Sequence, residues 1–247
     1  MKKILAISNS FGVDATRYLY DVARREGKTI KVVTLHIGGC SLYRHYRNML
    51  SEEKAYAYYI NGIDSGLKVS LKEALLSDEW SIVTLQQCSP KSGSASSYDP
   101  YIEELSAYVR RLSPAAKQYI HETWSFADTC TRFALTPYTT RDEMIPKIRE
   151  CYAAAAEKIG AHGKIPSLDA MCALYDKIGD ATYRDGFHAN LGATRYMLAC
   201  LWYMTFFGSD ISGNTFRDFD IDVTEDEART ALDTAVETAK ACGLIND

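Results

Sequence analysis

The chain has 247 residues, 47% hydrophobic and 24% charged, enough to bury one sizeable core and keep a solvated surface. Its formal net charge of −4 excludes a broad electrostatic grip on nucleic acid, which needs a basic face. No stretch approaches the ~18 uninterrupted apolar residues of a spanning helix; the nearest is Tyr196 to Phe207, so no membrane partner is expected.

The chain opens with lysines before Ile4 to Ile7, an apolar run shorter than the roughly 7–15 residues of a secretory leader core. It reads instead as a first strand, Lys3 to Ser8. A helix over Asp14 to Glu26 follows, closed by Gly27 at its C-cap. Lys31 to Leu35 is a second strand. Ser51 to Gly66 is tyrosine-rich without clean periodicity, so no element is assigned there. Beyond it come a helix over Lys68 to Leu76, a strand over Ser81 to Gln86, and a helix over Tyr98 to Leu112 bounded by Pro100 and Pro114. The pattern continues with a strand over Gln118 to Thr123, a helix over Arg141 to Ile159 and a weaker strand around Lys164 to Ser167. A helix over Asn190 to Phe207 stops at Gly208. The last helix starts at Thr224, with Glu227 three residues on as a capping box, and runs to about Cys242. Ala228, Ala231, Leu232, Ala235 and Ala239 form its packing stripe.

Strands alternating with helices predict one α/β domain over 1–247, a three-layer α/β/α sandwich with a mostly parallel central sheet. Residues 209–247 form a C-terminal extension ending in a helix. The seven cysteines, at 40, 88, 130, 151, 172, 200 and 242, are scattered and form no CxxC pair. That spacing fits neither a zinc cage nor a disulfide framework, so no metal site is expected. Small buried thiols suit a reducing, cytoplasmic compartment. An exported form whose leader has been removed stays open.

In an open parallel sheet, ligands bind beyond the carboxyl ends of the strands. Four polar junctions lie there. Ser8-Asn9-Ser10-Phe11-Gly12 follows the first strand, where a serine near helix N–H groups suits a nucleophile; serine and asparagine are also ordinary turn and N-cap residues. His36-Ile37-Gly38-Gly39-Cys40-Ser41 follows the second strand, and its glycines serve an oxyanion hole or a plain tight turn. Leu85-Gln86-Gln87-Cys88 ends the third strand with two amides able to donate to an oxyanion. Last, Asp185 precedes His188 by three residues on one loop, close enough to hold the imidazole tautomer. His121 and Glu122, adjacent on a strand, point to opposite faces and do not make a metal pair.

In this order the blocks Asn9-Ser10-Phe11, HIGGCS (His36 to Ser41), LQQ (Leu85 to Gln87) and DGFH (Asp185 to His188) resemble the SGNH (GDSL-like) hydrolase superfamily, and more closely an uncharacterised bacterial SGNH-like subfamily. The resemblance runs from residue 3 to about 208. It implies a flavodoxin-like sheet and an esterase with no cofactor. Ser10 would be the nucleophile, His188 the general base and Asp185 its orienting partner. The oxyanion would be held by the N–H groups of Ser10 and Gly39, or Gly38, and by the amide of Gln87, or Gln86. Two departures stand out. Ser8 replaces the usual glycine and crowds the turn beneath the nucleophile, and a glutamine replaces the third-block asparagine.

Asn9, Tyr43 and Trp124 are the expected pocket residues, the two aromatics as platforms for a sugar ring. A small acyl ester, such as an O-acetylated carbohydrate, is the expected substrate and partner. Two rivals use the same residues: a ligand-binding protein that has lost activity, and an acyltransferase.

Overall fold

The computed structural model describes residues 1–246. Seven strands form one sheet in the order β4-β3-β2-β1-β5-β6-β7. These are β1 Lys2–Ser8, β2 Ile30–His36, β3 Tyr56–Ile60, β4 Ile63–Val69, β5 Ile82–Leu85, β6 Lys117–His121 and β7 Gly163–Ile165. β2, β1, β5, β6 and β7 are parallel, while β3 and β4 add an antiparallel edge. From Ile4 onward β1 is buried on both faces, which is why it reads as a continuous apolar run rather than an alternating one.

Helices cover both faces of this sheet. One layer holds α1 Ser10–Thr16, α2 Leu19–Arg25, α7 Ser167–Ile178, α8 Ala193–Phe207 and α9 Glu225–Ala241. The other holds α3 Leu42–Ser51, α4 Leu71–Leu76, α5 Tyr101–Leu112 and α6 Arg141–Lys158. The three-layer α/β/α architecture expected from the sequence is thus present. α9 begins with the expected capping box, and its alanine stripe is buried against α7 and α8.

Three local expectations need correction. The single helix over Asp14 to Glu26 is two, broken at Arg17 and Tyr18; the fully buried Tyr18 ring sends its hydroxyl to the Leu191 carbonyl at 2.6 Å. The unassigned stretch Ser51 to Gly66 holds most of the β3–β4 hairpin, turned at Asn61 and Gly62, both with positive φ. Asn-Gly is the residue pair such a two-residue turn demands. Two helices, α3 and α7, lie where no element was expected.

The chain passes from β1 to β2 on one side of the sheet and later returns to place β5 on the other side of β1. The crevice at the carboxyl end of β1 is therefore the topological switch point, where open parallel sheets bind ligands. The loops after β1, β2 and β5 meet there. No helix among the described residues is long and apolar enough to cross a membrane.

Candidate active site

β1 ends in Ser8, and Asn9 caps α1 by accepting the Phe11 N–H at 3.1 Å. Ser10 is thereby the first residue of the helix, half-buried, with its side chain turned toward the loop that connects to α8. That loop, closed by the Tyr183–Ala189 bridge, turns at Gly186 with φ +81. It is pinned from below. Trp124 Nε1 donates to the Phe187 carbonyl at 2.8 Å, and Ala127 N–H to the Gly186 carbonyl at 2.7 Å.

From this loop His188 Nε2 reaches Ser10 Oγ at 2.8 Å, and His188 Nδ1 reaches Asp185 Oδ2 at 2.6 Å. The other carboxylate oxygen, Oδ1, accepts the His188 N–H at 2.8 Å and the Phe187 N–H at 3.3 Å. Both carboxylate oxygens are thus engaged and the ring is held in one orientation. Burial pulls the imidazole below its ordinary pKa, against the opposing pull of the Asp185 hydrogen bond and the Asp14 charge. The ring is then neutral near pH 7, the state a base requires. Burial works to raise the Asp185 carboxyl, but the hydrogen bonds from the His188 side chain and backbone outweigh it and keep the group ionised.

A second tie was not anticipated. The Asp14 carboxylate, four residues beyond Ser10, is buried between two arginines. Arg184 Nη1 donates to it at 2.9 Å and 3.1 Å, and Arg195 Nε and Nη2 at 2.9 Å and 2.7 Å. Arg184 adjoins Asp185, and Arg195 lies on α8. Asp14 therefore locks the helix bearing the serine to the loop bearing the histidine. The sequence held a signal for this. Phe11, Ala15 and Tyr18 mark one buried face, and Asp14 falls on it.

A cavity of about 630 Å³ opens over Ser10 and His188. Asn9, Phe11, Gly38, Gly39, Cys88 and Phe187 form its inner lining. The glycines sit in the turn that Cys40 N–H closes onto the Ile37 carbonyl at 3.1 Å, with Gly39 at φ +60 and open space beside both. Among the described residues, the N–H groups of Ser10, Gly38 and Gly39 donate to no backbone carbonyl outside the regular elements. For Ser10 that is the normal condition of a first-turn donor.

With this geometry in place, a family model described as a domain of unknown function, DUF4886, matches residues 3–238. The chain belongs to the DUF4886 family. The match takes in most of α9, so the helix that the sequence resemblance left outside lies within the family domain. A crystallised DUF4886 protein from Bacteroides uniformis is similar at 30% identity and a TM-score of 0.88, covering 99% of this chain and 97% of that one. A candidate SGNH hydrolase from Slackia heliotrinireducens is similar at 20% identity and TM-score 0.59, with 83% and 98% covered. A candidate GDSL-like lipase from Parabacteroides merdae follows at 13% identity and TM-score 0.55, with 81% and 93% covered. The fold is that of SGNH hydrolases. Among curated proteins none matches the chain.

Within this DUF4886 site, several residues expected at the pocket are elsewhere. Gln87 is fully buried: its Oε1 accepts the N–H groups of Leu42 at 3.0 Å and Cys88 at 2.9 Å, and its Nε2 donates to Ser97. Gln86 is engaged too. Its Nε2 donates to Asn9 Oδ1 at 2.9 Å, while its Oε1 pairs with His121 Nδ1 at 2.7 Å. Neither glutamine lines the cavity. The glutamines instead brace the turn: His121, Gln86 and Asn9 form a chain that ends where Asn9 Nδ2 donates to the Cys40 carbonyl at 3.1 Å.

Trp124 is also misplaced as a pocket wall. It is wholly buried, stacked on Phe11 at 4.1 Å between centroids, and supports the site from behind. Tyr43 is exposed on α3 against the edge of Tyr101 and lies outside the cavity lining. Asn9 does line it, with its side chain committed to the turn. Ser8 does crowd that turn, and the room for its buried side chain comes from Gly12, which faces it across α1.

Proposed function

We propose that this chain is a serine esterase that hydrolyses a small acyl ester through an acyl-enzyme intermediate. The observation that carries the proposal is the unbroken sequence of contacts Ser10 Oγ to His188 Nε2 at 2.8 Å and His188 Nδ1 to Asp185 at 2.6 Å, at the floor of a cavity. His188 takes the Ser10 proton as Oγ attacks the ester carbonyl. The developing oxyanion is met by the N–H groups of Ser10 and Gly39, or Gly38, with no side-chain amide. His188 then passes its proton to the leaving alcohol. Water, deprotonated by the same imidazole, releases the acid and restores the serine.

Neither Trp124 nor Tyr43 offers a ring to a sugar in this cavity, so the proposal names a small acyl ester and not a carbohydrate in particular. The test is intact-mass analysis after exposure to a small neutral fluorophosphonate. One adduct on the parent, absent from Ser10→Ala and His188→Ala, is the expected result. A folded parent that stays unmodified at high reagent concentration would remove the basis for the proposal.

A further inference from the structure

The outer part of the cavity has a charge that the mechanism does not use. With the His188 ring neutral, the charged side chains lining it are Lys91 and Arg132, and no carboxylate lines it. Lys91 ends the short 3-10 helix Ser89–Lys91, and Arg132 lies on the 3-10 helix Thr131–Leu135 packed against it. On α6, by contrast, Lys147 pairs with Glu150, Arg149 with Asp169, and Lys158 with Asp99. No ion pair among the described residues engages Lys91 or Arg132.

Arg132 is also oriented. Its guanidinium lies 3.8 Å from the Phe187 ring centroid, and that ring lies 3.8 Å from the His188 ring. Stacking on an aromatic face restrains the guanidinium while leaving its in-plane N–H donors free to grip a planar or tetrahedral anion. The donors are thus held one ring away from the catalytic base. The two carboxylates beside the site are engaged elsewhere: Asp185 on His188 Nδ1, and Asp14 on Arg184 and Arg195. In a chain with 32 acidic and 28 basic residues, a mouth with two unpaired cations and no acid is a local reversal of charge.

We infer that the ester cleaved at Ser10 carries an anionic group, a carboxylate, phosphate or sulfate, received at the cavity mouth by Arg132 and Lys91. The inference rests on the hydrolase reading above and names its substrate class. The anion sits in either the acyl or the alcohol half of the ester.

Two matched pairs of esters separate the halves: 4-acetoxybenzoate against its methyl ester, and mono-(4-nitrophenyl) glutarate against its methyl ester. In at least one pair the acid is turned over with a kcat/KM about tenfold or more above its neutral partner, the scale of a hydrogen bond to a charged group. The ratio falls with added salt. It falls toward one in Arg132→Gln and further in Arg132→Gln combined with Lys91→Gln. Acids no faster than their methyl esters in both pairs would overturn the inference, as would a preference unmoved in the double variant. Labelling of Ser10 by the neutral fluorophosphonate, run on the same samples, tells the two failures apart. A serine that labels while no acid is preferred leaves the hydrolase standing without this specificity, and a serine that does not label removes both.

Discussion

An alanine at position 12 would test how the first block tolerates Ser8. Its Cβ would lie less than 3.0 Å from both Ser8 Oγ and Ser8 Cβ, and 3.1 Å from Gln86 Oε1. Ser8 is fully buried, with its hydroxyl bonded to the Leu35 carbonyl at 3.1 Å, so it has little freedom to yield. Overpacking of this kind costs about 1–3 kcal/mol, and a displaced Ser8 hydrogen bond adds about 1. The better helix propensity of alanine offsets about 1 kcal/mol. The net loss is about 2 kcal/mol, or roughly 4–8 °C in Tm for a domain of this size. Because Gly12 is two residues beyond Ser10, the strain also moves Oγ away from His188, and a displacement near 1 Å lowers kcat by up to ~100-fold. Ser8→Gly combined with Gly12→Ala removes the clash with Ser8, so the double variant should regain most of both losses. Thermal unfolding and ester turnover on the four proteins of the cycle give the answer. A Gly12→Ala protein as stable and active as the parent, or effects that add within about 0.5 kcal/mol, would refute the reasoning.

Asp14→Asn removes the charge between two arginines and is expected to cost about 3 kcal/mol, a Tm decrease of roughly 6–12 °C by calorimetry. Since the Asp14 charge favours the protonated His188, the same variant should move the acid limb of the kcat/KM profile to lower pH. In the parent that limb lies below the ordinary histidine value of about 6.5, because His188 must lose its proton to act and burial already favours the neutral ring. Asp185→Asn shifts it lower still and reduces kcat by about 10⁴ as the tautomer is lost, measured over a pH series. Gln87→Ala is expected to lower Tm while leaving kcat of the folded protein within about threefold, whereas loss of a true oxyanion donor costs about 10²–10³.

The parallel core and the crevice at the end of β1 were legible because buried central strands announce themselves as short apolar runs, and the residues that follow them are polar. The Asp185 and His188 loop was legible for a related reason. Its partners are three residues apart, so local spacing fixes their approach. The β3–β4 edge was missed although Asn61-Gly62 was in view, because the tyrosines around it blur the alternation and β4 is almost wholly exposed. A strand with no buried face has no period to read.

The two glutamines fail for a different reason, and it bears on how this chain departs from the usual pattern. A strand end shows that an amide reaches the crevice loops but not which partner meets it, since Gln86 finds Asn9 and His121 at separations of 77 and 35 residues. Those distant partners tie the departures together. The Gln86 oxygen that His121 holds is the atom 3.1 Å from where a Cβ on Gly12 would sit, and Gly12 is the residue that makes room for Ser8. Ser8, Gly12, Gln86 and His121 therefore act as one packed set that supports Asn9 beneath the serine. Read singly, Ser8 and Gln86 look like damage to a catalytic block; read as a set, they brace the same turn by other contacts. That brace ends at Asn9, the residue before Ser10, whose Oγ lies 2.8 Å from His188 Nε2, the contact on which the esterase proposal rests.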